Sequence, residues 1–282
     1  MVFGIVCKED NTKALDLSVR VLKWIKDRGF PCLIEDHIAD YIRCDRNDDI
    51  WNNAELLIAI GGDGTLLRTV RMSSHREIPV LGVHMGYLGF LTEIMEDEVY
   101  TAMEAVIEGD YIKEERIMFS ATLYREDLEI TSQHVLNDVV INKSALARII
   151  DIDVWTNQTF ITCYRADGLI VSTPTGSTAY NLATGGPIVH PQVDAIILTP
   201  ICPHVLSNRS IVLPDFQEVI IIVKSGKSSD NIYLTLDGQK GYNLQANDKL
   251  VIKRGESKAV FLRFPQRNYF EILRSKLGWQ ER

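Results

Sequence analysis

Residues 56–71 read LLIAIGGDGTLLRTVR, and the reading of the fold starts there. Leu57, Ile58, Ala59 and Ile60 make an apolar run with the length and branching of a buried strand. Two glycines follow, then Asp63, Gly64 and Thr65, then Leu66, Leu67 and Val70 at helical spacing. A strand, a glycine turn and a helix start suit a phosphate. Glycines let the backbone approach it closely, and the helix N-terminus offers unpaired N–H groups. Gly61, Gly62, Gly64 and Thr65 are therefore the candidate phosphate-binding residues. Asp63 is the odd member, because a carboxylate repels phosphate. It fits if a hydroxyl must be held or deprotonated beside the phosphate, which points to phosphoryl transfer to an alcohol. The plainer alternative is a tight turn in which Asp63 only caps the helix. Two glycines before it and one after exceed what a cap needs.

On the N-terminal side, residues 2–7 read as a first buried strand. Asn11 and Thr12 are caps for a helix with Leu15, Val19, Leu22 and Ile25 on one face, ended by Gly29. Residues 31–34 form a second strand, and the polar stretch 36–53 a loop or short helix. After the glycine turn, residues 79–83 (PVLGV) make another strand leading into a second glycine-spaced loop over 84–91. A helix over 97–107 stops at Gly109. Strands and helices alternating through glycine turns predict an α/β domain built on a doubly wound parallel sheet. Ligands of such sheets sit beyond the carboxyl ends of the strands, where both glycine loops lie.

Beyond Tyr111 the texture changes. Strands are predicted at 118–124, 134–142, 150–155, 159–164, 169–172, 195–198, 219–223, 232–236, 250–253 and 259–264. Only 177–184 interrupts them as a helix, and 264–278 is a final helix with Phe270, Leu273 and Leu277 on one face. The second domain is thus mainly β. The expected division is 1–112 and 113–264, with no Gly/Ser linker and no internal repeat.

Of the 282 residues, 46% are hydrophobic and 24% charged, and the formal net charge is −8. That balance argues against a nucleic-acid binder, which would carry a basic face. The five cysteines contain no C-x-x-C pair, so free thiols in a reducing cytoplasm are expected. The first apolar run is too short for a signal-peptide core, and residues 220–223 are only a strand-sized run, so no membrane partner is expected.

Two further constellations carry chemistry. Residues 165–180 read RADGLIVSTPTGSTAY and continue to Gly185-Gly186-Pro187. A strand runs into a loop dense in hydroxyls and exposed N–H groups, with Ser177 or Thr178 capping the helix that follows. Such a loop suits a sugar–phosphate ligand, with Asp167 available to accept from a ribose hydroxyl or an amide. In Leu136-Asn137-Asp138-Val139-Val140, Asn137 and Asp138 offer donors and acceptors to an adenine edge or a ribose diol. By itself the pair reads equally well as an Asx turn at a strand start.

Taken together, these segments resemble the NAD kinase family, specifically its bacterial members. The GGDGT turn, GVHMGYLGF, LNDVVI, ADGLIVSTPTGSTAYNLATGGPI, ICPHVLSNRSIV and LDGQ occur in the family's order between Gly61 and Gln239. The GGDGT turn alone is shared with lipid kinases and phosphofructokinases; the Ser/Thr loop is the more specific part. The resemblance implies transfer of the γ-phosphoryl of ATP, or of another donor such as polyphosphate, to the 2′-hydroxyl of the adenosine ribose of NAD. It implies Asp63 as the catalytic carboxylate with Gly64 beside it, Phe90 as an apolar wall for adenine, and Asn137 and Asp138 holding ribose or base atoms. Asp167 would serve the nicotinamide end, and Thr178, Ala179 and Tyr180, with Thr175 and Ala183 of the same loop, the adenine side. Arg148, Arg165 and Gln239 match positions that approach the dinucleotide or the product phosphate, and the arginines could reach a neighbouring subunit's ligand. The chain departs from the family at Ala183-Thr184, where Ser-Ala is common, so Ala183 supplies no side-chain hydrogen bond. A C-terminal helix over 265–282 returning to the first domain is implied, as is a homotetramer or homodimer. Mg²⁺ would arrive with the triphosphate; no ligand set of metal spacing is present, and no tightly bound prosthetic group is expected. His84, His190 and His204 read as structural. Two rivals remain at this stage, a lipid kinase sharing the glycine turn and a non-catalytic NADP(H)-binding sensor.

Overall fold

The computed structural model describes residues 1–45, 49–86, 89–144, 148–224, 232–265 and 268–279. Tyr87 and Leu88 of the second glycine loop lie outside them, as do residues 266 and 267 of the expected final helix. The chain divides into two compact units, Met1–Glu115 with Ala259–Arg282, and Arg116–Lys258.

The first unit runs β1 (Phe3–Cys7), α1 (Thr12–Asp27), β2 (Cys32–Ile34), α2 (Asp36–Ile42), α3 (Ile50–Asn53), β3 (Leu56–Gly61), α4 (Asp63–Ser73), β4 (Val80–His84), β5 (Ile94–Met95) and α5 (Val99–Glu108). Its strands lie in the order β2-β1-β3-β4, all parallel. Phe261, from the returning chain, pairs in parallel with Val80 at the far side of β4. β1 and β3 are buried along their whole length, as strands covered on both faces must be. The order reverses between β1 and β3, so their carboxyl ends form the switch point at which such sheets bind ligands.

Asn11 caps α1, its Oδ1 accepting from Ala14 N at 3.1 Å. The buried face is Ala14, Leu17, Ser18, Val21, Leu22 and Ile25. Leu15 and Val19, expected on that face, are only half-buried. Ala14, Leu17, Ser18 and Val21 take the buried positions instead, and the Ser18 hydroxyl bonds back to Ala14 O at 2.8 Å.

The second unit contains β6 (Ile112–Arg125, entering from the first), β7 (Leu128–Val135), β8 (Asp138–Lys143), β9 (Ile150–Thr156), β10 (Thr159–Ala166), β11 (Gly168–Ser172), α6 (Tyr180–Ala183), β12 (Ala195–Ile201), β13 (Ile211–Pro214), β14 (Val219–Val223), β15 (Ile232–Leu236), β16 (Lys240–Leu244) and β17 (Lys249–Arg263, leaving for the first). One antiparallel sheet has the order β13-β12-β11-β8-β15-β16. A second ladder runs β10-β9-β14-β17. Val139, Leu169, Val171, Ile196 and Leu234 from the first pack in one core with Ile152, Val154, Ile221 and Ile252 from the second. The half-exposed Arg125 binds the buried Asp248 with Nε–Oδ1 and Nη2–Oδ2 distances of 2.9 and 2.7 Å, joining the ends of β6 and the β16–β17 turn.

Four expectations are corrected. Residues 134–142 are not one strand; the pairing breaks at Leu136-Asn137, whose N–H groups go to Asp237 instead. Residues 250–253 and 259–264 belong to one long strand, β17, because the polar centre of that stretch stays extended. The 177–184 helix is a 3-10 turn at Thr175–Thr178 followed by the single turn α6. The last helix, α7 (Tyr269–Leu277), starts later than expected, where Asn268 and Glu271 form a reciprocal capping box. It buries Ile272 and Leu273 and leaves Phe270 57% exposed.

β8, β11 and β12 are locked at Gly168, where a Cβ would lie 2.2 Å from the carbonyl oxygen of Ile141. Gly168→Ala must push the strands apart. We expect a loss of about 2 kcal/mol, read as a lower denaturant midpoint; an unchanged midpoint would refute this account of the centre of the sheet.

Candidate active site

The turn after β3 separates two tasks. Gly62 is the N-cap of α4, and its carbonyl accepts from Thr65 N and Leu66 N at 3.0 and 3.2 Å. Gly62, Gly64 and Thr65 line a pocket of about 380 Å³ with Lys8, Glu9, Asp10 and Arg68. This pocket lies at the carboxyl ends of β1 and β3, at the switch point. Gly61 is buried at the strand end and does not line it. Behind the pocket, Arg68 grips the buried Glu35 through Nη1–Oε1 and Nη2–Oε2 contacts of 2.6 and 2.9 Å and donates to Cys7 O at 3.0 Å. That strut ties α4 to the end of β1. Burial pushes the neighbouring Cys7 thiol up to about 11, and its Sγ lies 3.1 Å from His37 Nε2.

Asp63 turns to the second glycine loop, the N-cap position of α4 being taken by Gly62 before it. Oδ2 accepts from Phe90 N at 2.9 Å, while Oδ1 accepts from Leu91 N at 3.2 Å and from Thr92 N and Oγ1, both at 3.1 Å. Three consecutive backbone N–H groups thus form an anion nest around a carboxylate. Only glycine fits at position 89, because a Cβ there would stand 2.0 Å from Asp63 Oδ1. Among the described residues Oδ2 carries one of the four donors and is the oxygen with capacity for another. Phe90 is half-buried, with Lys276 Nζ 5.8 Å from its ring centroid.

The second unit uses the same device in reverse. Asp237, in the turn between β15 and β16, accepts from Leu136 N, Asn137 N and Asp138 N at 3.0, 2.7 and 3.2 Å. Here the loop, rather than the gripping carboxylate, carries the candidate ligand groups. Asn137, Asp138, Ala179 and Tyr180 line a pocket of about 360 Å³ with Val140, Asn142, Thr235, Asp237 and Gly238. Asn137 Oδ1 is buried with no hydrogen-bond partner among the described residues. Asp138 is buried, and burial together with the Asp237 carboxylate pushes its pKa up to about 7, against the opposing hydrogen bond from the Tyr180 backbone.

The Ser/Thr loop is held by its own hydroxyls. Thr173 Oγ1 donates to Leu136 O and accepts from Gly176 N at 3.0 Å. Ser177 Oγ bonds to Val189 O and N, both at 3.1 Å, so it does not cap α6; neither does Thr178, whose hydroxyl contacts Thr175 O at 3.4 Å. Ala179 occupies the cap position without a side-chain bond. Thr175 is buried, 3.4 Å from Arg116 Nη1. Ala183 ends α6 exposed, and the Thr184 hydroxyl beside it bonds Asn181 O at 3.0 Å.

Four other expected site residues do not line the second pocket. Asp167 is 3.5 Å from Lys143 Nζ, the exposed Arg165 is 3.9 Å from Asp151, Arg148 is exposed, and Gln239 is exposed beyond the β15 turn. Two structuring residues escaped sequence reading. Asp237 stood in a visible Asp-Gly hairpin signal, but its target lies a hundred positions away. Asn181, fully buried, holds the loop through Ser177 O, Pro187 O and the Thr199 hydroxyl at 3.0, 3.0 and 2.6 Å, and nothing in its local sequence marks it.

Comparison with known proteins agrees with this geometry. Residues 3–111 match the model of the ATP-NAD kinase N-terminal domain, and residues 136–264 that of the ATP-NAD kinase C-terminal domain. An NAD kinase of Geotalea daltonii is 43% identical over 282 residues, and one of Geobacter metallireducens 44% over 281, each alignment covering 99% of both chains. Yeast NADH kinase, solved with NADH, superposes with a TM-score of 0.91 at 26% identity, over all of this chain and 89% of that one. The fold is also that of an NAD kinase from Archaeoglobus fulgidus solved with ATP, at a TM-score of 0.77 and 24% identity over 98% and 99% of the two chains. The match over the second unit sets the lipid-kinase rival aside. With both halves matched in order and relatives alike along the full length, the chain belongs to the NAD kinase family.

Proposed function

We propose that this chain transfers the γ-phosphoryl group of ATP, or of another phosphoryl donor such as polyphosphate, to the 2′-hydroxyl of the adenosine ribose of NAD, making NADP. The observation that carries the reading is the Asp63 carboxylate, fixed in a nest of three N–H groups with acceptor capacity left on Oδ2. Phosphoryl transfer needs in-line placement and charge stabilisation more than covalent participation by the protein. A carboxylate is a far weaker base than a sugar alkoxide, so early deprotonation is unfavourable. In a loose transition state the hydroxyl proton leaves late, and a fixed acceptor is then adequate. Asp63 Oδ2 accepts from the 2′-hydroxyl, aims its oxygen and takes the proton as the new P–O bond forms. The N–H groups at the start of α4, with Lys8, receive donor phosphate.

In the second unit, the Asp138 carboxylate accepts from a ribose hydroxyl or a base amino group, and Asn137 Oδ1 from an amino group. Tyr180 and Ala179 supply apolar surface for the base, with Thr175, Thr178 and Ala183 supporting their loop. Asp167, Arg148, Arg165 and Gln239 are assigned to the remainder of the dinucleotide and the product phosphate. Divalent metal, Mg²⁺, enters with the donor and neutralises its charge; among the described residues no group of three or more His, Cys, Asp and Glu is assembled to hold a metal. We assign the chain to the cytoplasm on its free cysteines, and to a homo-oligomer on apolar residues such as Leu206 and Phe216, 88% and 80% exposed in the single chain. No described helix is long and apolar enough to cross a membrane.

Asp63→Asn should keep the fold by circular dichroism and lower kcat for NADP formation from NAD and ATP by about a thousandfold. A near-parental kcat would refute the role of Asp63, and a parental protein that forms no NADP would favour the sensor reading. A second expectation follows from Asp138, whose raised pKa leaves it partly protonated near neutrality. A ligand that donates to it binds only the ionised form. NAD affinity should therefore rise between pH 6 and 8 and level off above the Asp138 titration, with proton release on binding seen as a buffer-dependent calorimetric heat (about one proton at pH 6). Asp138→Asn should abolish the release; an unchanged release would reassign it.

A further inference from the structure

The Asp63 carboxylate is only as well placed as the loop that grips it. Leu91 donates its N–H to Asp63 Oδ1 at 3.2 Å, and its carbonyl, in one peptide group with the Thr92 N–H that also bonds Oδ1, accepts from Arg263 Nη1 at 3.3 Å. Arg263 closes β17, and its side chain is 11% exposed. Its Nη1 also lies 2.5 Å from Glu93 Oε1, in the residue that follows the nest, and its Nε donates to Glu114 Oε2 at 2.6 Å, near the start of β6. The guanidinium carbon stands 5.5 Å from the Phe261 ring centroid. One planar group therefore joins both ends of the 91–93 segment to a strand of the parallel sheet. Arginine suits this task because its fork reaches three acceptors at fixed angles, where an ammonium reaches them as a single point.

We infer that Arg263 is a positioning residue for the phosphoryl-transfer step: through the Leu91 carbonyl and the Glu93 carboxylate it fixes the nest that sets Asp63. The inference rests on the reading of Asp63 as the acceptor of the 2′-hydroxyl. Arg263 touches neither nucleotide in this scheme; it acts on the angle and distance at which Oδ2 is presented. Without its charge, Glu93 and Glu114 lose their shared cation, and the loop relaxes away from the geometry in which all three N–H groups converge. A displacement well under an ångström at a reacting group is enough to cost turnover while leaving ground-state binding intact.

The test is a double-mutant cycle on NADP formation from NAD and ATP, using Arg263→Gln, Arg263→Lys, Asp63→Asn and the combinations, with single-turnover measurements for the slow variants. In the parental background, Arg263→Gln should lower kcat by about tenfold with the KM for NAD within about twofold, and Arg263→Lys should recover part of that loss. In the Asp63→Asn background the same change should cost less than about twofold, because the group it positions has gone. A folded Arg263→Gln enzyme with parental kcat, or an equal fold-loss in both backgrounds, would overturn the inference. A near-parental kcat in Asp63→Asn alone would instead overturn the underlying reading of Asp63. Should Arg263→Gln not fold, Arg263→Lys enters the same cycle with the same criteria.

Discussion

Consecutive backbone N–H groups that converge on one point need an anion, and this protein satisfies that constraint twice with an aspartate. In the first unit the nest of residues 90–92 holds Asp63. In the second, the N–H groups of residues 136–138 hold around Asp237. Charge-assisted bonds of this kind are among the stronger polar contacts a fold can make, and three at once fix both partners. The two cases differ in which partner carries the chemistry. In the proposed reaction Asp63 is the reactive group and its loop the support. Asp237 is the support, and its loop presents Asn137 and Asp138. Burial of Asp138, together with the second carboxylate that this grip brings beside it, pushes its pKa up to about 7.

Much of this was legible from local chemistry. The apolar run before Gly61, the glycines around Asp63 and the helical spacing after them specify a strand, a turn and a helix within sixteen residues, and the structure builds them as β3, Gly62 and α4. Asn11 at the head of α1 was legible for the same reason, since a cap acts within its own turn. What Asp63 touches was not. Its partners come from the end of the second glycine-spaced loop, which read only as lying where ligands of such sheets sit, although Gly89 is there to make room for a carboxylate. The alternative of a simple helix cap also could not be dismissed until the direction of the side chain was known.

The misread elements share a cause. Val135, Leu136, Val139, Val140 and Ile141 look continuous, yet β7 and β8 part between them because Asp237 captures the intervening N–H groups from a hundred residues away. The polar middle of β17 looked like a turn, but backbone pairing along a long strand does not require apolar side chains. The Ser/Thr loop was recognisable by composition, while the use of each hydroxyl was not. Ser177 bonds to Val189 instead of capping a helix, and buried Asn181 does the work that a regular helix would otherwise do. Periodicity reports faces and lengths; it carries no signal for a bond whose two ends are far apart in the chain.

The first unit is discontinuous, with its last strand and helix encoded after the whole of the second. At ribosomal speeds of about 5–20 residues per second, residues 1–115 emerge roughly 7–30 s before Arg263. Over that interval Val80 of β4 pairs with Leu57 of β3 but lacks its second neighbour, Phe261, and Glu93 and Glu114 lack the guanidinium that joins them. Strands β1 to β4 are all synthesised early, but the corner at Arg263 is completed last. On the proposed reading, a nascent chain holds every residue of the switch-point pocket before it holds the arginine that sets the Asp63 loop.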